Sequence, residues 1–254
     1  MLGIVFTGGD SPPARTASFI AGGRGALIVA ADSGLLAAEA AGFTPDWIVG
    51  DMDSLDSLER LDAYPPGRVV RHGRDKDFTD TELAFSLALD AGCRDIWIIG
   101  GGGGRIDHLF GIRSLFEREV FPRRWVTAGE DIFCIEGSEG ATGCQRETVS
   151  ERVKWAEGRE MGDGCKVGKS ETEEAAGRSR LSLKTAPGDI ISVFPLGGGV
   201  WKAASKGLKW PLDGLSWNRG FFGLSNVALE ENISITAAAG RFMVIAGLPE
   251  GDTV

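Results

Sequence analysis

The chain has 254 residues, 43% of them hydrophobic and 25% charged, and a formal net charge of −9. The length suits one large domain or two modest ones, and the composition is that of a soluble globular protein. The acidic balance argues against general nucleic-acid binding, which needs clustered Lys and Arg at phosphates. It argues equally against anionic membranes, and no run approaches the ~20 apolar residues of a membrane span.

Met1 to Phe6 carries no basic segment and runs into Gly and Asp, so it reads as a first strand and not a signal peptide. Ala26 to Ala31 is a continuous apolar run, suited to a strand covered on both faces, and ends at Asp32-Ser33-Gly34. Leu35 to Ala41 favours helix, with Gly42 as its stop. Asp46 to Val49 is a short strand ending at the acidic cluster Gly50-Asp51-Met52-Asp53-Ser54. Arg68 to Arg71 is another, ahead of a second cluster that runs from Asp75 to Glu82. Both clusters are expected where a strand gives way to a helix. Thr79 and Glu82 have the spacing of a capping box, opening a helix that stops at Gly92. Asp95 to Ile99 is a buried strand leading into Gly100 to Gly104 and Arg105-Ile106-Asp107-His108. Leu109, Ile112, Leu115 and Phe116 then follow helical spacing, and Trp125 to Thr127 reads as a strand. This alternation predicts an α/β domain with a largely parallel sheet.

The pattern changes after Ile132 to Ile135, itself a predicted strand. Ser138 to Arg180 is rich in Gly, Glu, Arg, Lys and Ser, and is expected to be a polar, flexible insertion. From Leu181 onward short strands alternate with Gly and Pro turns, including Asp189–Phe194, Ile233–Thr236 and Arg241–Ile245. Helical patterns are absent there, so the second half reads as all-β. Cys93, Cys134, Cys144 and Cys165 form no C-x-x-C pair, which argues against a zinc site. Reduced thiols in a cytoplasmic protein are the simplest reading, with a Cys144–Cys165 bridge as the alternative.

Ligands of an open α/β sheet bind beyond the carboxyl ends of its strands. Asp32, Asp51 with Asp53, Asp77 with Asp80, and Asp107 all fall at that edge. Gathered carboxylates repel one another unless a cation is shared, and the hard ion that brings phosphate with it is Mg²⁺. Taken singly, Asp32 is a helix cap and Asp80 an acidic first-turn residue. Four strand ends with the same chemistry are hard to obtain by capping alone. The glycine run offers backbone N–H groups to an anion, or is a tight turn with no ligand; it is not a Walker A motif. Arg105 and Lys76 are either phosphate partners or solvated cations, and His108 suits a hydrogen bond near phosphate. Trp210, within Gly207 to Leu212, offers a face for a flat cationic heterocycle. Ser225 and Asn226, within Gly223 to Asn226, could bond that ring's polar edge.

In this order the series resembles the thiamine pyrophosphokinase family. The matching pieces are Ala31 to Gly34, Thr44-Pro45-Asp46, Gly50 to Ser54, Lys76 to Glu82, Gly103 to His108, Gly207 to Leu212 and Gly223 to Asn226. The departure is the stretch from Ser138 to Arg180, longer than the family's linker hairpin. The resemblance implies a Rossmann-like nucleotide domain at 1–128, then a β-sandwich at 129–254 carrying the insertion at 138–180. It implies a cytoplasmic homodimer with active sites at the subunit interface, transferring pyrophosphate from ATP to thiamine. By matched position Asp51, Asp53 and Asp80 would bind Mg²⁺, with Asp32 and Asp107 close by; Asp51, Asp53, Asp80 and Asp107 form the catalytic set. Lys76, Asp77, Thr79, Gly104, Arg105 and His108 would lie around ATP, and Trp210, Ser225 and Asn226 would face thiamine. The rival substrate is another heterocyclic alcohol, such as a hydroxymethylpterin. The rival from another class is a non-catalytic nucleotide- or metal-binding module.

Overall fold

The computed structural model describes residues 1–73, 75–138 and 179–248. The insertion and the Cys144–Cys165 alternative therefore fall almost wholly outside the described residues. The first half alternates as its apolar periodicity predicts: β1 (Leu2–Thr7), α1 (Ala14–Ala21), β2 (Leu27–Ala31), α2 (Gly34–Ala40), β3 (Trp47–Gly50), β4 (Val69–Arg71), α3 (Asp80–Asp90), β5 (Asp95–Ile99), α4 (Ile106–Leu115) and β6 (Arg124–Val126). The strands lie in the order β4-β3-β2-β1-β5-β6, every pair parallel. Their carboxyl ends consequently share one edge.

Alternate residues of these strands pack into different cores, which is why the strands read as unbroken apolar runs. Ile4, Phe6 and Ile28 meet Ala17 and Ala21 of α1 and Ala38 of α2 on one face. Val5, Val29 and Ile98 meet Phe85 and Leu87 of α3 and Leu115 of α4 on the other. α3 begins with the capping box expected: Thr79 Oγ1 accepts from Glu82 N at 3.2 Å, and Thr79 N donates to Glu82 Oε2 at 2.9 Å. Such a cap contributes about 1 kcal/mol and fixes where the helix starts.

The first acidic cluster departs from expectation, because no α-helix follows it. The connection from β3 to β4 makes only short 3-10 turns at Leu58–Ala63 and Pro66–Arg68. Pro65 and Pro66 break any continuation, and Asp and Ser side chains bond the local backbone instead. This connection is pinned to α2. Arg60 donates to Glu39 at 2.6 Å, and Tyr64 Oη donates to the other Glu39 oxygen at 2.8 Å. Burial and then the Glu39 carboxylate push the Tyr64 phenol up to about 12. A folded value above the unfolded one near 10 means a contribution complete below pH 10 and lost as pH climbs through 12. Tyr64 is the chain's only tyrosine, so tyrosinate absorbance reads it alone. In pH-jump mixing, faster than unfolding, the native midpoint should lie near 12 and drop in Glu39→Gln. A native midpoint at the denatured value would show that the anchor does not form.

The second half continues the sheet with antiparallel strands β7 (Glu130–Ser138), β8 (Ser179–Lys184), β9 (Ile190–Leu196), β10 (Lys202–Lys206), β11 (Gly223–Val227) and β12 (Asn232–Gly247). The full order is β11-β9-β12-β7-β6-β5-β1-β2-β3-β4, with β8 and β10 also on β12. The two strands predicted at 233–236 and 241–245 are one. Ala237 to Gly240 reads as a break, but Gly240 bends the strand at φ 73° without ending it. β12 pairs β8 and β10 through its first half, then β7 and β9 through its second. Both sets enclose one core of Ile191, Val193, Trp217, Ile235, Phe242 and Val244. Cys134, Leu196 and Met243 also join the core beneath α3 and α4, so packing is continuous across the two halves. Among the described residues, no helix is long and apolar enough to cross a membrane.

Candidate active site

Asp32 follows β2, Asp51 follows β3 and Asp80 opens α3, and one carboxylate oxygen from each lies within 4.8 Å of the others. Gly50 allows this approach: a Cβ there would sit 3.0 Å from Asp80 Oδ1. Lys76 Nζ donates to Asp80 Oδ1 at 2.6 Å and lies 3.8 Å from Asp51 Oδ2. One ammonium against three carboxylates leaves the cluster negative. Burial, partly offset by Lys76, holds the Asp80 carboxyl above its ordinary value, with Asp51 and Asp32 adding to the rise.

Asp32 Oδ1 is buried and has no hydrogen-bond partner among the described residues. An orphaned buried carboxylate oxygen is costly unless something cationic completes it. An all-oxygen donor set of this kind fits Mg²⁺ and not a thiolate- or imidazole-seeking metal. Backbone strain points to the same place. The only non-glycine residues with left-handed φ among those described are Asp32 (47°), Met52 (63°) and Ser225 (56°). Asp32 belongs to the trio, Met52 follows its member Asp51, and Ser225 lies in the predicted heterocycle motif; such strain concentrates at functional sites.

The remaining acidic residues are arranged otherwise. Asp53 is exposed and outside the trio; its N–H donates to Asp51 Oδ1 at 3.3 Å and its carboxylate accepts from Ser54. Asp77 is exposed. Asp107 is exposed and takes two hydrogen bonds from Arg105, at 3.1 and 2.5 Å, which lower its carboxyl below the ordinary value. His108 is exposed beside it, and its N–H donates to Asp107 Oδ1. Thr79 serves as the α3 cap.

The glycine run is shaped chiefly by packing against the turn after β1. Gly100 N donates to Val126, Gly101 N to Gly8 and Gly102 N to Asp10, so three N–H groups are already used. Side chains at Gly100 and Gly101 would strike Thr7 O and Ile112 Cδ1, each at 2.3 Å. Gly104 is exposed with open space where a side chain would go. An anion would therefore meet only the end of the run, near Gly104 and Arg105. Sequence reasoning passed over the partner turn, Gly8-Gly9-Asp10-Ser11. Its signal was available: Gly-Gly-Asp directly after a first strand, at the edge where the acidic candidates fall.

In the second half, Trp210 is 53% exposed, with Lys209 Nζ 4.6 Å from its ring centroid. That face already attracts one cation. Asn226 is buried and holds Trp210 in place: Asn226 Nδ2 donates to Trp210 O at 2.6 Å, and Trp210 N donates to Asn226 Oδ1 at 3.1 Å. Ser225 is exposed, its N–H donating to Ser192 Oγ at 3.1 Å.

Two family models match the chain: "Thiamin pyrophosphokinase, catalytic domain" over 24–123, and "Thiamin pyrophosphokinase, vitamin B1 binding domain" over 178–242. No curated protein sequence matches it. Solved structures of similar fold include a thiamin pyrophosphokinase from Geobacillus thermodenitrificans, at 21% identity and TM-score 0.65, covering 99% of each chain. The Bacillus subtilis thiamine pyrophosphokinase gives 20% and 0.66, covering 97% of this chain and 98% of that one. The Candida albicans thiamin pyrophosphokinase gives 16% and 0.62, covering 97% and 90%.

Proposed function

This chain belongs to the thiamin pyrophosphokinase family, and from that premise we propose a Mg²⁺-dependent transfer of pyrophosphate from ATP to the hydroxyl of thiamine. It is an enzyme of the thiamine diphosphokinase class. The thiamine hydroxyl oxygen attacks the β-phosphorus in line, the bond to the α-phosphate oxygen breaks, and thiamine diphosphate and AMP leave. The observation that carries this reading is the unpartnered Asp32 oxygen buried beside Asp51 and Asp80.

Asp51, Asp53 and Asp80 would hold Mg²⁺, with Asp32 completing the oxygen set. When bound, the ion offsets triphosphate charge that an acidic chain could not otherwise accept. Lys76 adds a local positive charge, Arg105 and Gly104 present donors at the α4 start, and Asp77, Thr79 and His108 border the same nucleotide. Asp80 and Asp107 are both candidate proton acceptors, and each already accepts from a cation, Lys76 and Arg105 respectively. Trp210 would stack on thiamine beside Ser225, with Asn226 holding that wall in place. We assign residues 1–128 to the nucleotide and 129–254, read as a β-sandwich folded about β12, to thiamine, in a cytoplasmic enzyme.

The sheet order supports a homodimer. β11, with Ser225 and Asn226, and β3, which leads to Asp51, are separated by seven strands, roughly 38 Å along the sheet at about 4.8 Å per strand. So long a path along the sheet favours a site that takes its ring from one copy and its trio from another. Edge strand β11 and its flanks also expose Phe222 (51%), Leu224 (61%) and Leu229 (55%), an apolar surface suited to a second copy. Purified protein with ATP, Mg²⁺ and thiamine should yield AMP and thiamine diphosphate in equal amounts. AMP formed with a hydroxymethylpterin but not with thiamine would overturn the substrate, and ADP would overturn the reaction.

A further inference from the structure

Asp10 has no role in the site described above and precedes the matched catalytic span, which begins at residue 24. It sits in the turn after β1, where β1 borders both β2 and β5. β1 is the strand at which the chain order reverses, and the crevice at such a point is where α/β sheets receive nucleotides. Its backbone is fixed: Asp10 N donates to Gly102 O at 2.7 Å, and Gly102 N to Asp10 O at 3.1 Å. Its carboxylate lies against Gly103, where a Cβ would come within 2.1 Å of Asp10 Oδ2. The residue is exposed, and no lysine or arginine among the described residues forms an ion pair with it.

The turn that carries Asp10 packs beside the strand end that carries Asp32. A Cβ on Gly8, two residues before Asp10, would lie 2.4 Å from Ser33 Oγ, and Ser33 follows Asp32. With the triphosphate at the trio, the unit bonded directly to the phosphates is the sugar, and the base lies one unit farther away. A carboxylate repels phosphate but accepts well from paired hydroxyls. We propose that Asp10 reads the ribose, accepting hydrogen bonds from the vicinal 2′ and 3′ hydroxyls and setting a preference for ribonucleotides over deoxyribonucleotides. The proposal rests on ATP binding along this edge, as in the proposed function.

Calorimetric titration of the whole protein with Mg²⁺ and nucleotide, without thiamine, tests it apart from turnover. Wild type should bind ATP at least about tenfold more tightly than 2′-deoxy-ATP, the scale of a hydrogen bond to a charged group. Asp10→Ala should bind both alike and more weakly than wild type binds 2′-deoxy-ATP, because the 3′ hydroxyl loses its acceptor as well, and Asp10→Asn should discriminate to an intermediate degree. Equal wild-type affinities, or discrimination that survives Asp10→Ala, overturn the ribose assignment and leave the proposed function standing. Loss of preference for ATP over inosine triphosphate in Asp10→Ala, with ribose discrimination intact, would give the carboxylate to the base instead. Failure of wild type to bind either adenine nucleotide would sink the ATP reading itself.

Discussion

Asp80→Asn is expected to lower turnover by about a hundred- to a thousandfold, the range for removing one preorganised electrostatic group from an active site. Asp51→Asn should match it. The geometry gives the reason: each supplies an oxygen to a trio packed within 4.8 Å. The same variants should be recognised without turnover. A ligand at a hundredfold excess over its dissociation constant adds about 2.7 kcal/mol to stability. At roughly 2–4 °C per kcal/mol for a chain of this size, Mg²⁺ with ATP should raise wild-type melting by roughly 5–10 °C. Most of that rise should vanish in Asp80→Asn, while melting in metal-free buffer stays near wild type, because asparagine still offers Lys76 an oxygen. Near-normal turnover together with an undiminished rise would remove the trio from the mechanism.

Asp32 shows where sequence reasoning stops. The meeting of Asp51 and Asp80 was legible because strand ends of a parallel sheet share an edge, and the capping box fixes where α3 begins. The third member was expected to be Asp53, two residues from Asp51. The structure brings Asp32 into the trio and leaves Asp53 exposed. The difference lies in left-handed backbone at Asp32 and Met52, which no periodicity signals. Gly240 gives a parallel case in the fold. Its place after three alanines reads as a turn, yet neighbours on both halves keep β12 unbroken. The parallel sheet was legible because burial on both faces writes itself as apolar runs. The partner switch along β12 was not, because it depends on strands distant in sequence.

Mixing two inactive variants should restore activity, and this follows from the sheet order. Asp51→Asn disables the trio at one end of the sheet, and Trp210→Ala removes the exposed ring before β11 at the other. If each active site takes its trio from one copy and its ring from the second, either homodimer has two broken sites. A mixed dimer has one site with both defects and one with neither. Random exchange makes half the dimers mixed, so activity should recover to about a quarter of wild type in a twofold-symmetric assembly. A site contained within one copy gives the opposite result, since every site in every dimer then keeps a defect and the mixture stays as inactive as its parts. Recovery that requires subunit exchange, appearing after brief denaturation and refolding together but not on simple mixing of tight dimers, would tie the effect to the interface. No recovery after verified exchange would place ring and trio in the same copy, against a separation of roughly 38 Å along the sheet.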